Sequence, residues 1–148
     1  MENVNPLSMV IATLIPLITG MILYHKSLFG GKWADAFGIQ ADSSQKAGTL
    51  FIIVVALVLS ALMAFFMLNF CNGEGQEGVY DTFKHGAAHG AIIGVFVVFP
   101  AIGINGLFEQ GGLLNLKLRM LMFVNAAYWV ITLALMGGVL DAMNHYSY

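Results

Sequence analysis

Asp81, His85 and His89 recur at intervals of four residues, and Asp141 and His145 repeat that interval further along the chain. Residues four apart stack on one face of a helix. Imidazoles and carboxylates arranged this way can grip a divalent metal ion or exchange protons. His85, His89, Asp141 and His145 are therefore the candidate metal ligands, or the members of a proton-exchanging cluster. A plainer account competes with this one: Asp81 can act as a helix cap or first-turn acid, and a polar side chain near water costs little. His89 resists that account, because it lies two turns inside an apolar stretch, at a depth where an ionisable group needs a partner.

Little else in the chain suggests chemistry. No Ser-His-Asp order, phosphate loop, catalytic carboxylate pair or haem-attachment motif is present, so no catalytic residue is assigned and the reading leans away from an enzyme. Cys71 is the only cysteine, which excludes an internal disulfide and a cysteine-based zinc cluster. The nine methionines are scattered as packing residues and lack the clustered spacing of a copper relay. No cofactor beyond a divalent metal ion is implied.

The elements that must position these residues are set by the solvent. Hydrophobic residues make up 59% of the 148, and only 6 basic and 8 acidic residues are present, giving a net charge of -2. So few charges cannot clothe a water-soluble surface, and they supply no basic groove for nucleic acid. Lipid is the expected partner. A helix needs about 20 apolar residues to cross a hydrocarbon core, and four stretches qualify: residues 7–25, 47–70, 82–108 and 120–143. The predicted fold is all-α, a single integral membrane four-helix bundle. Pro16 and Pro100 fall inside the first and third spans and are expected to kink them. No removable signal peptide is expected, since the first span follows Glu2 with no basic residue or small-residue cleavage pattern.

Between spans one and two, lysines mix with aromatic residues, which predicts a short interfacial helix around residues 32–37 with Phe29, Trp33 and Phe37 as headgroup-level anchors. Lys26, Lys32, Lys46, Lys117 and Arg119 all fall at one end of a four-span chain, whereas the other end has Lys84 alone. Basic residues mark the cytoplasmic side, so both termini are expected outside. Gly86, Gly90 and Gly94 form a small-residue stripe on span three, and Ala127, Ala134 and Gly138 form one on span four. If these stripes face each other, the histidines border the seam and Asp141 and His145 close its outer end. Asn105 and Asn125 are expected to bond between helices, and Glu109 to pair with Lys117 or Arg119.

The blocks Tyr24-His-Lys-Ser-Leu-Phe-Gly-Gly-Lys-Trp33, Asn105-Gly-Leu-Phe-Glu109, Asn125-Ala-Ala-Tyr-Trp129 and Met136-Gly-Gly138 resemble the bacterial membrane family catalogued as domain of unknown function 1761. The resemblance covers nearly the whole chain. It implies four transmembrane helices in a bacterial inner membrane, and it implies no activity. Three functional readings follow. The first is a non-enzymatic homo-oligomer or accessory subunit of a membrane assembly, motivated by the glycine stripes. The second is a protein that binds or transports a metal ion or protons through the His/Asp cluster. The third is a small enzyme acting on a lipid or quinone, which rests on fold-level analogy alone.

Overall fold

The computed structural model describes residues 4–31, 34–35, 46–71, 82–108 and 115–144. Helix α1 spans Pro6–Leu23 and starts in a way its sequence dictates: the Asn5 side chain accepts from the Leu7 N–H at 2.9 Å, and Pro6 takes a position where no N–H is needed. The helix continues through Pro16. Past Tyr24, His25 caps a π-helical turn over Lys26–Gly30, its Nδ1 accepting from the Ser27 N–H at 3.3 Å. This turn requires Gly30, because a Cβ there would collide with the Tyr24 carbonyl. The helical turn therefore begins earlier than the expected interfacial helix, of which only Ala34 and Asp35, both helical, fall among the described residues. Phe29 is exposed on the π turn, whereas Trp33 and Phe37 lie outside the described residues.

Helix α2 runs over Lys46–Cys71, α3 over Phe83–Phe108 and α4 over Leu116–Met143. Thr82, not Asp81, is the N-cap of α3, its hydroxyl accepting from the His85 N–H at 3.3 Å. Midway, α3 loosens into a π turn at Gly94–Val98, where the Phe99 N–H reaches back to the Gly94 carbonyl. The extra residue per turn lies immediately ahead of Pro100, whose ring would otherwise crowd the carbonyl one turn earlier.

All four helices are long and apolar enough to cross a membrane, with mean hydropathies of 2.1, 3.0, 2.2 and 1.7 in chain order. Large apolar side chains point outward along α2 and α3, Phe51 being 72% and Phe96 73% exposed. Water would not tolerate so much continuous apolar surface, and lipid does. The chain is thus an all-α, multi-pass membrane protein by its architecture, and no strand occurs among the described residues.

Helix α4 is the hub. It packs most extensively on α3, then on α1 and then on α2, and of the four spanning segments its own is the most buried, at 33%. Ala12 and Ile15 of α1, Ala64, Met67 and Leu68 of α2, and Leu133, Met136 and Leu140 of α4 form the core. At one end of the bundle α1 and α4 are clasped: the Asn5 N–H donates to Asn144 Oδ1 at 2.6 Å, and Asn144 Nδ2 donates to Ser8 Oγ at 2.8 Å. The first and last described helical ends therefore lie on the same face.

Candidate functional site

Helices α3 and α4 run antiparallel and touch along the glycine stripe. A Cβ on Gly86 would run into the Gly137 carbonyl and lie 2.5 Å from Asp141 Cβ; one on Gly90 would strike the Leu133 carbonyl, and one on Gly94 would lie 2.8 Å from Val130 Cα. The α4 surface that receives the stripe is thus Val130, Leu133, Gly137 and Asp141, one residue earlier than the expected Ala134 and Gly138. Ala127 is exposed, and Gly138 packs beneath the Phe83 ring. Because the three glycines free all the needed space on α3, α4 can present Val130 and Leu133 at the crossing.

This approach delivers Asp141 to α3. His85 Nδ1 and Asp141 Oδ2 are 2.9 Å apart, the carboxylate side chain 1% and the imidazole 22% exposed. One turn further in, the His89 ring meets the His85 ring edge-on with centroids 4.3 Å apart. His89 Nδ1 is buried with no hydrogen-bond partner among the described residues. Two of the four candidate ligands are therefore bonded to each other, a third stacks on the pair, and the fourth, His145, lies outside the described residues, as does Asp81. Among the described residues no three histidine, cysteine or acidic side chains are grouped so as to hold a metal ion.

The second polar region lies between α1 and α4. Tyr24 Oη donates to Asn125 Oδ1 at 2.7 Å, and the Tyr24 and Tyr128 rings lie 5.3 Å apart. Tyr128 Oη donates to the Pro16 carbonyl at 2.9 Å, and the Thr19 and Thr132 hydroxyls are 2.7 Å apart at a fully buried position. Burial, and secondarily the neighbouring Tyr128, push the Tyr24 phenol up from 10.0 to about 12. Asn125 thus makes the expected interhelical bond. Asn105 does not: it is exposed on the outer face of α3 and makes no side-chain hydrogen bond among the described residues, because its neighbour Gly106 is the residue turned toward α4, against Met122. Glu109 lies outside the described residues.

The sequence profile of a family described as protein of unknown function (DUF1761) matches residues 7–141. The chain belongs to that family. No curated protein and no solved structure matches it. Within this DUF1761 chain, the first and third of the blocks that carry the resemblance meet in space, and the last lies at a helix crossing. Tyr24 of the first bonds Asn125 of the third, and Gly137 of the last is where α3 crosses.

Sequence reasoning missed the Asn5–Ser8–Asn144 clasp and the Thr19–Thr132 pair. Each is built from isolated hydroxyls and amides, whose only signal was their presence in otherwise apolar helices, where such groups seek partners on a neighbour.

Proposed function

We propose that this protein is a proton-handling membrane protein whose working group is the His85–Asp141 pair extended inward by His89. The single observation that carries the reading is the 2.9 Å contact between a half-buried imidazole and a carboxylate sealed from solvent. In surroundings of low dielectric, net charge is costly. A pair holding one proton is neutral overall whether that proton sits on nitrogen or oxygen. A second proton entering at the exposed edge of His85 leaves a net positive charge, which favours passing it on. His89 is placed to receive it, about 6 Å further along the helix axis, with a buried nitrogen awaiting a donor.

The setting proposed is the bacterial inner membrane with both termini outside, which puts the pair on the outer side. The test is proton flux in proteoliposomes carrying an internal pH-sensitive dye, driven by an imposed pH step. Flux is expected for the wild type and at least a ten-fold loss, about 1.4 kcal/mol in barrier, in His85→Gln and Asp141→Asn, with a smaller loss in His89→Gln. A wild type no leakier than empty vesicles overturns the proposal.

A divalent metal ion is the second reading, favoured by the same buried His89 nitrogen. It needs a ligand from beyond the described residues, and elemental analysis of purified wild type against His89→Ala tests it. The homo-oligomer or accessory-subunit reading loses its main motive, since the α3 glycines are engaged within the chain. What supports it is the apolar outer face of α2, which lipid covers equally well. Crosslinking in native membranes separates the two.

A further inference from the structure

Beyond the π turn, α3 and α4 diverge. They leave an open groove of about 560 Å³, lined by Pro100, Gly103 and Ile104 on one wall and by Arg119, Met122 and Phe123 on the other. Its size falls in the range of about 300–1,000 Å³ usual for small-molecule sites. Two features distinguish it from a mere irregularity of the lipid-facing surface. The first is how it is made: Gly103 has nothing within 4 Å of where its Cβ would stand, so the missing side chain keeps the groove open at its floor. The second is its charge. Every lining residue is apolar except Arg119, which lies where the fourth membrane-length stretch, Arg119–Met143, begins.

We infer that this groove seats one acyl chain of an anionic phospholipid, with the headgroup phosphate held by Arg119. The lining spans Leu107 to Phe99 on α3, a run of about 12 Å at 1.5 Å per residue, which leads from the headgroup boundary into the hydrocarbon. A guanidinium presents a planar fork of donors that matches a phosphate. At the membrane boundary a lipid headgroup offers it a partner of opposite charge, and basic pockets between transmembrane helices select anionic lipids in this way. Lys117, exposed two residues earlier at the same end, adds to the positive field. A second groove, of about 510 Å³, lies between α2, α3 and α4 and is lined by Met63, Phe66, Val97 and Trp129 among other apolar residues, with no charge. It offers a lipid no reason to prefer one headgroup and serves as the internal control.

The experiment uses the full chain in phosphatidylcholine nanodiscs doped with a photoactivatable phosphatidylglycerol or, separately, a photoactivatable phosphatidylcholine of the same chain length, and maps labelled peptides by mass spectrometry. In the wild type, phosphatidylglycerol is expected to label the Met122–Phe123 region several-fold more than phosphatidylcholine, with no preference at Phe66 or Val97. Arg119→Gln should bring the two lipids level at the first groove. Gly103→Leu, whose Cβ enters open space, should remove labelling there by both lipids, leave the second groove unchanged and not lower the melting temperature. Equal labelling by both lipids in the wild type, or labelling unaltered in both variants, would show ordinary boundary lipid and overturn the inference.

Discussion

Gly86 of α3 and Gly137 of α4 pass each other with no side chain between their backbones, and a methyl group on either would run into the carbonyl of the other. The close pass is what lets Asp141, one turn beyond Gly137, reach His85, one residue before Gly86. Gly86→Ala or Gly137→Ala must push the helices apart, because the obstructing atoms are backbone and cannot turn aside. Overpacking of this kind typically costs about 1–3 kcal/mol. Both variants are expected to lower the thermal midpoint in detergent and to abolish proton flux. Gly103→Ala, facing open space, is expected to stabilise slightly, by about 0.5–1 kcal/mol, as Gly-to-Ala changes do inside helices.

The number of spans and their limits were legible because lipid imposes a simple rule. The expected 82–108 and the observed Phe83–Phe108 differ by one residue, and 47–70 became Lys46–Cys71. The glycine stripe was legible as a surface of close approach. Which face of α4 would meet it was not, since α4 is apolar nearly all round and carries no polar side to show its rotation. Small residues at Ala134 and Gly138 therefore looked like the partner, although Leu133 and Val130 fill the place against glycine. Spacing and antiparallel packing placed the histidines along one seam with Asp141 at its end, but not the direct His85–Asp141 contact, which depends on the rotation of α4. The Thr19–Thr132 bond did not, because a single threonine in a helix often satisfies its own hydroxyl from the preceding turn, as Thr19 also does on the Ile15 carbonyl at 2.9 Å.

His85 and Asp141 should be energetically coupled. Asp141→Asn takes the carboxylate charge away from the His85 imidazole, and His85→Gln leaves a carboxylate with 1% exposure without that partner. A double-mutant cycle over His85→Gln and Asp141→Asn, read by denaturation in mixed micelles, is expected to return a coupling of about 0.5–3 kcal/mol. Strict additivity of the two single changes would mean that the contact contributes nothing to the fold.

The clasp between the helix ends predicts a local effect. Asn144→Ala takes the acceptor from the Asn5 N–H and the donor from Ser8 Oγ, and each lost bond costs about 0.5–1.5 kcal/mol. Faster amide hydrogen exchange is expected over Asn5–Ser8 while exchange at Leu133–Met136 stays slow. A uniform acceleration along α1 would show that the clasp holds the whole helix, not its first turn.

Tyr24 gives the protein an alkaline limit. In the unfolded chain its phenol titrates at 10.0, whereas in the fold burial holds the proton on until about 12. Between those values the folded state binds more protons than the unfolded, so stability falls as pH rises. It is fully present below pH 10 and lost progressively toward 12. The deprotonated oxygen would also no longer donate to Asn125 Oδ1, leaving two acceptors face to face at 2.7 Å. Tyr24→Phe forgoes that bond and should be less stable at neutral pH by about 1 kcal/mol. Its midpoint should nevertheless decline less steeply than the wild type's above pH 10, so that the two curves converge. Melting curves in detergent across this interval check the sign: parallel curves would mean that Tyr24 titrates like a tyrosine in water and that its bond to α4 does not form.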